Sequence, residues 1–261
     1  MAMKILMVGD IVGAPGRMAF ARLVTRMRQE GRVDFVVANA ENAAGGRGLT
    51  AALGEELLNA GADVLTLGDH AWDQKDVAAY LERESRVVRP ANFAPGCPGR
   101  GWTTVSGPQA EKITVVNLVG RVFMNPYDCP FRAVEAILSR DSLGRIILVD
   151  MHAEATSEKV ALGRYLDGRV TCVVGTHTHV QTSDETVLPK GTGYITDLGM
   201  TGPKDSVLGR DLKSVTEMLL TGMPAKFEVA RGNPTLEGVI IEVDSLTGRC
   251  AAIRRVREKA E

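Results

Sequence analysis

Long apolar runs are missing from this sequence of 261 residues. The longest, such as Ile146 to Val149, are strand-sized, against the roughly 20 residues a bilayer-spanning helix needs, so no membrane span is expected. Cysteine is scarce. Cys97, Cys129, Cys172 and Cys250 form no C-x-x-C, which favours free thiols over a disulfide frame, and Cys172 sits in an apolar run that reads as core. An excess of one charge is also absent, with Lys plus Arg at 31 and Asp plus Glu at 32. No basic field exists to gather nucleic acid or an anionic membrane nonspecifically. The chain carries no G-x-S-x-G, no Walker A string and no G-x-G-x-x-G opening a helix after a strand, which removes the common serine-nucleophile and nucleotide-loop signatures. Met1 to Asp10 holds one Lys and a short apolar stretch ending at an acidic residue, unlike a signal peptide, and the expected location is the cytoplasm.

What is present is an alternation of short β-branched runs with amphipathic stretches, the pattern of helices packed on a largely parallel sheet. Strands are expected at Lys4 to Val8, Phe35 to Ala38, Val64 to Leu67, Ile113 to Leu118, Ile146 to Val149, Cys172 to Val174 and Tyr194 to Thr196. Helices are expected over Met18 to Gln29, over Thr50 to Ala60 with Thr50 as N-cap, and over Cys129 to Arg140. Gly238 to Val243 and Arg249 to Val256 read as a C-terminal β-hairpin. Arg89 to Gly107 and Pro203 to Arg210, rich in Pro and Gly, read as surface loops. No repeat or linker divides the chain, so a single α/β domain over residues 1–261 is expected.

Ligand-type residues recur just after strand candidates, at the end where open α/β sheets place their sites. Asp10 follows the first strand, Glu41 and Asn42 the second, Asp69 and His70 the third, His152 the run from Ile146, and His177 and His179 the run from Cys172. All four histidines of the chain are in this set. Histidines serving only packing or solubility would scatter over helices and loops as well. Carboxylates, an amide and imidazoles make a mixed O/N donor set suited to zinc, manganese, iron or nickel. If Gly175-Thr-His177-Thr-His179 stays extended, its two imidazoles point the same way roughly 6.5 to 7 Å apart at Cα. That spacing lets each serve a different ion of a pair roughly 3.5 to 4 Å apart. Several other residues have two readings. Arg17 and Arg47, in Gly-flanked loops, are phosphate clamps or solvated charges. Asp73 orients His70 or is a first-turn helix carboxylate, and Asp197 and Gln181 are candidates to support the ligands.

In that order and at those strand ends, Asp10, Glu41-Asn42, Gly68-Asp69-His70, His152 and Gly175-Thr-His177-Thr-His179 resemble the calcineurin-like metallophosphoesterases. More closely, Val8-Gly-Asp-Ile-Val-Gly-Ala-Pro-Gly-Arg17, Asn39-Ala-Glu-Asn-Ala-Ala-Gly-Gly46 and His177-Thr-His-Val-Gln-Thr182 resemble the bacterial YmdB-type branch, over nearly the whole chain. The resemblance implies a metallophosphoesterase-like sandwich of two mixed β-sheets flanked by helices. It implies two transition-metal ions, iron or manganese, one held by Asp10, Glu41, Asn42 and His179 and the other by Asp69, His152 and His177, with Glu41 bridging. The implied reaction is hydrolysis of small phosphodiesters, including 2′,3′-cyclic nucleotides, by a metal-bridging hydroxide with His70 as the proton donor. The partner is then a small phosphodiester, and a homo-oligomer is left open.

Two positions depart from the wider superfamily. Val12 stands where most members carry the His of Asp-x-His, as expected of the YmdB-type branch. Asp69 stands where the usual string is Gly-Asn-His; it adds a negative charge that should hold divalent ions more tightly and weaken their Lewis acidity. Other functions compatible with the same residues are a phosphomonoesterase or nucleotidase, a capsule-type relative of the metallophosphatase fold, and a regulatory protein that acts through a partner while keeping a vestigial metal site.

Overall fold

A computed structural model describes residues 2–260. In chain order its elements are Ala2–Val8 (β1), Asp10–Ile11 (β2), Gly13–Gln29 (α1), Phe35–Asn39 (β3), Ala51–Asn59 (α2), Val64–Thr66 (β4), Val77–Arg83 (α3), Val87–Val88 (β5), Trp102–Ser106 (β6) and Lys112–Val119 (β7). There follow Pro130–Leu138 (α4), Ile146–His152 (β8), Thr156–Tyr165 (α5), Cys172–Thr176 (β9), Thr186–Val187 (β10), Gly193–Ile195 (β11), Met200–Pro203 (β12), Leu212–Thr221 (α6), Pro234–Asp244 (β13) and Cys250–Lys259 (β14).

The strands form two sheets rather than one. The first runs β2-β12-β13-β1-β3-β4-β5 with β14 paired to β13, and the second runs β10-β11-β9-β8-β7-β6. Both are mixed. β1, β3, β4 and β5 are parallel, as are β7, β8, β9 and β11, whereas β13 lies antiparallel to β1, β12 and β14, and β6 and β10 close the second sheet antiparallel. The two-sheet expectation is therefore met, and the simpler picture of one largely parallel sheet is not.

Period-two alternation decides which side each strand residue covers. Met3, Ile5 and Met7 of β1 and Phe35 and Val37 of β3 face Ile146 and Leu148 of β8 and Cys172 and Val174 of β9 in a core between the sheets. Leu6, Val8, Val36 and Ala38 turn the other way, onto Phe20, Leu23, Val24 and Met27 of α1 and Leu57 of α2. Ile147, Val149 and Val173 pack similarly on Val134 of α4 and Leu162 of α5. The central strands of each sheet are thus buried on both faces, which explains why they read as continuous apolar runs.

The N-terminal capping expectation holds: Thr50 Oγ1 accepts a hydrogen bond from the Leu53 N–H at 3.3 Å at the start of α2. The C-terminal hairpin is present and longer than expected, with β13 and β14 paired from Thr235 opposite Lys259 to Val243 opposite Cys250. The loop expected over Arg89 to Gly107 needs correction. It contains the edge strand β6, and Arg89 is buried, with its guanidinium donating to the carbonyls of Pro90, Cys97 and Pro98. One cation therefore organises the segment from inside. No described helix is long and apolar enough to cross a membrane.

Candidate metal centre

β1, β3 and β4 of the first sheet and β8 and β9 of the second deliver their C-terminal ends to one place, as parallel strands must if their crossovers are to return on the helical layers. Asp10 follows β1, Glu41 and Asn42 lie in the turn after β3, Asp69 and His70 in the turn after β4, His152 ends β8, and His177 and His179 follow β9. The structure brings all of these residues together.

Four side chains make a tight group. His152 Nε2 lies 3.1 Å from Glu41 Oε1 and 3.0 Å from Asp69 Oδ1. His177 Nδ1 lies 3.0 Å from His152 Nε2 and 3.4 Å from Asp69 Oδ1. One donor atom from each of Glu41, Asp69, His152 and His177 falls within 4.8 Å of the others. A second group adjoins it through Glu41, whose Oε1 accepts from Asn42 Nδ2 at 3.2 Å. His179 Nε2 is 3.2 Å from Asn42 Nδ2 and 3.8 Å from Asp10 Oδ1. Asp10 Oδ2 accepts from the His177 N–H at 3.1 Å, whereas Asp10 Oδ1 is buried with no hydrogen-bond partner. A buried carboxylate oxygen left in that condition is costly unless a cation satisfies it.

Electrostatics point the same way. Burial raises the Asp10 carboxyl above its ordinary value, more than neighbouring His179 and His152 lower it. Burial also works against ionised Glu41, but the charge and hydrogen bond of His152 bring it below the usual range. Asp69 is also held well below that range, burial being outweighed by its bonds to His152 and His177. Burial disfavours a charged His152, yet Glu41, Asp69 and Asp10 raise its pKa well above that of a free imidazole. Three carboxylates thus draw on the same imidazoles for positive charge. Gly68 keeps the space between them open: a Cβ there would stand 2.2 Å from Glu41 Oε2 and 2.4 Å from His152 Nε2.

The histidines are aimed by partners behind them. His152 Nδ1 is 2.9 Å from Thr176 Oγ1, which donates to Asp150 Oδ1 at 2.7 Å; the Nδ1–H is therefore the donor and Nε2 faces the cluster. Asp150 also accepts from Thr66 Oγ1 and Asn39 Nδ2, and burial pushes its carboxyl up to about 6 against the pull of His152. His179 Nδ1 donates to the Leu208 carbonyl at 3.0 Å. The segment from Gly175 is not extended, so the condition for its two imidazoles pointing the same way is not met: His177 and His179 have φ of +98° and +64°. Asp197 holds this bend, accepting from the N–H and the hydroxyl of Thr178 at 3.2 and 2.8 Å, and is itself paired with buried Lys159 at 2.7 Å.

The sequence alone does not single out Asp150, Thr176 or Lys159. Asp150 had a usable signal, because in Ile146-Ile-Leu-Val-Asp150-Met-His152 it lies two residues before His152 and shares its face of the strand.

The other candidates divide. Asp73 sits in a turn before α3, not in its first turn, and its Oδ2 lies 2.8 Å from His70 Nδ1 and 2.6 Å from Arg47 Nε. Arg47 and His70 line the same cleft as His177 and His179. Arg17 does not reach the group; it pairs with Glu56 and donates to the Ala43 carbonyl. Gln181 donates to the carbonyls of Gly238 and Val256 and so ties the loop to the hairpin.

Comparison with known proteins bears on the family and the fold. The family model described as YmdB-like protein matches residues 6–256. The 2′,3′-cyclic-nucleotide 2′-phosphodiesterase of Bacillus subtilis (strain 168) is 46% identical over 255 residues, 97% of this chain and 96% of that protein. A solved structure of a protein from Thermus thermophilus superposes with a TM-score of 0.93 at 43% identity, covering 99% of this chain and 100% of that one. A phosphatase structure from Mycoplasma pneumoniae also gives a TM-score of 0.93, at 33% identity, covering 99% and 94%.

Proposed function

The chain belongs to the YmdB-like protein family, and from that membership together with its site we propose that it is a metal-dependent phosphodiesterase acting on small phosphodiesters such as 2′,3′-cyclic nucleotides. The carrying observation is the convergence of Glu41, Asp69, His152 and His177 within 4.8 Å beside a buried Asp10 oxygen that no hydrogen bond satisfies. That donor set fits cations better than it fits any arrangement of its own protons.

In this reading Asp10, Glu41, Asn42 and His179 hold one ion and Asp69, His152 and His177 the other, with Glu41 shared between them. Nitrogen and carboxylate donors together suit iron or manganese. When bound, two such ions supply positive charge for the phosphate oxygens and lower the pKa of an attacking water. The chain's own residues do the rest. Asp73 accepts the Nδ1 proton of His70 and turns the opposite nitrogen of the ring to the leaving oxygen, where it gives up a proton as the ester bond breaks. Arg47, half-neutralised by Asp73, lies at the same wall and steadies an incoming phosphate. Thr176 and Leu208 keep His152 and His179 in fixed tautomers, so the donor set is preorganised rather than assembled on binding. Four free cysteines suit the reducing cytoplasm as the place of action.

Elemental analysis of protein purified without chelators tests the reading, alongside hydrolysis of 2′,3′-cyclic nucleotides. About two transition-metal ions per chain are expected. Glu41→Gln should lose both metal retention and turnover, because an amide cannot neutralise two cations. One ion per chain after reconstitution, or normal metal content and turnover in Glu41→Gln, would remove the shared-carboxylate arrangement.

A further inference from the structure

The cleft above the donor set, of about 610 Å³, has a second wall that offers no metal donors: Val207, Leu208, Val215, Met218, Phe227 and Val229. Its volume is in the range of small-molecule sites, and an apolar lining facing a few convergent polar groups is their usual composition. All six residues come from the single stretch of chain that crosses the site between β12 and β13 and carries α6. That stretch is seated on the site rather than on the core. Val215 is the one buried residue of α6. Val229 closes over Gly13 and Gly46, where a Cβ would come within 2.9 and 3.1 Å of it, and Gly209 is pressed against Val12, 2.7 Å from a Cβ built there. Val12, in the place of the wider superfamily's histidine, is thus part of the floor on which this wall stands.

Two backbone pairings hold the wall's aromatic residue in place. Asp211 N–H donates to the Glu228 carbonyl at 2.9 Å and Ala230 N–H to the Gly209 carbonyl at 3.0 Å. Between them Arg210 lies over Phe227, its guanidinium carbon 4.5 Å from the ring centroid. A ring capped by a planar guanidinium is a surface on which another flat, polarisable group stacks. A phosphate with a small alkyl substituent has no use for such a surface.

We propose that the wall from Val207 to Val229 binds the base of a nucleoside ester, with the Phe227–Arg210 pair as the stacking surface and Met218 and Val229 beside it. The proposal rests on the phosphodiesterase reading for what lies at the metal end of the cleft. Every base has a π-face, so such a wall selects nucleosides as a class rather than one base. The cleft, of about 610 Å³, has the size of a small-molecule site, which suits a mononucleoside ligand.

The test is calorimetric titration of the metal-containing protein with adenosine 3′-monophosphate and with its base-free counterpart, anhydroribitol 3-phosphate. The nucleotide should bind about tenfold tighter or more, the usual worth of one base stacked on an aromatic side chain. In Phe227→Ala the ratio of the two affinities should fall toward one. Phe227→Tyr should keep it, and Phe227→Leu, which retains bulk without a flat ring, should lose most of it. A ratio near one in the native protein, or equal weakening of both ligands by Phe227→Ala, overturns the proposal. A nucleotide preference without hydrolysis of any diester would remove the phosphodiesterase reading and leave the base wall standing. Diester hydrolysis without base preference would do the reverse.

Discussion

Gly68 has no room for a side chain, and the reason is chemical rather than conformational. Its backbone is unstrained, but a Cβ would stand 2.2 Å from Glu41 Oε2, in the space the donor atoms enclose. Gly68→Ala should therefore fold and still lose metal, about 10- to 100-fold in affinity, the range seen when the surroundings of a metal ligand are disturbed. Circular dichroism with elemental analysis separates the two effects; native metal content would show that Glu41 moves aside at little cost. His70 calls for a different measurement. In its proposed role as proton donor it matters most when the departing alkoxide is basic, so His70→Ala should keep its metals and lose roughly 10²- to 10⁴-fold on a nucleotide ester. The loss should be much smaller on a p-nitrophenyl ester, whose leaving group barely needs protonation, and Asp73→Asn should follow the same pattern more weakly. Equal losses on both substrates would mean that His70 positions substrate instead. The residues of the donor set are legible in the sequence because each lies at the end of an apolar strand run or just beyond it. Their supports were less so: Thr176 and Lys159 look ordinary in sequence, and only the fold carries them to His152 and Asp197.

The elements that sequence periodicity located are those with long apolar faces, such as β1, β3, β8 and α1. Those it passed over are short or atypical. β2, β5 and β10 have two residues each, too few to show a period, and β6 is an antiparallel edge strand with mixed burial. Helix α5 went unread because a lysine occupies its buried face: Lys159 is 1% exposed and paired with Asp197. This pair joins α5 to the bend that carries His177 and His179, since Asp197 also accepts from Thr178. Removing only the cation leaves a buried carboxylate uncompensated, so Lys159→Met should cost about 3–5 kcal/mol in denaturant unfolding. Adding Asp197→Asn should restore part of that, because the amide oxygen can still accept from Thr178. A loss in Lys159→Met well below about 1 kcal/mol, the level of a surface pair, would show that water reaches the carboxylate and that the bend does not depend on α5. Helix α6 carried readable signals, Asp211 accepting from the Lys213 and Ser214 N–H groups and Gly222 in the left-handed conformation at its end. Its apolar residues, however, do not mark a core face: Val215 and Met218 line a cleft, and Leu212, Leu219 and Leu220 are exposed.

At the scale of the whole molecule, two sheets could be two folding units, and the sequence shows no linker to decide the matter. The core between them argues for one. Met3, Ile5, Phe35 and Val37 from the first sheet and Ile113, Val115, Leu148 and Val174 from the second bury one another, so neither sheet can open without exposing the facing half of that cluster. Strand β14 adds a second tie: it pairs with β13 in the first sheet and touches β10 and β11 of the second, with Cys250 packed beside Gly193. The chain's two tryptophans happen to report on the two sides. Trp72 packs against Phe93 near the end of the first sheet, and Trp102 lies in β6 of the second. In Trp72→Phe and Trp102→Phe, each of which leaves one reporter, fluorescence-detected urea unfolding should give the same slope and midpoint once each variant is referenced to its own circular dichroism transition. The comparison belongs in chelator, because bound metal stabilises whichever state holds it and would couple the sheets through the site they share. Coincident transitions under those conditions mean that the apolar interface alone makes the sheets cooperate. Separate midpoints would mean that the proposed metal site, with Asp10, Glu41 and Asp69 from one sheet and His152, His177 and His179 from the other, is what joins two otherwise independent halves.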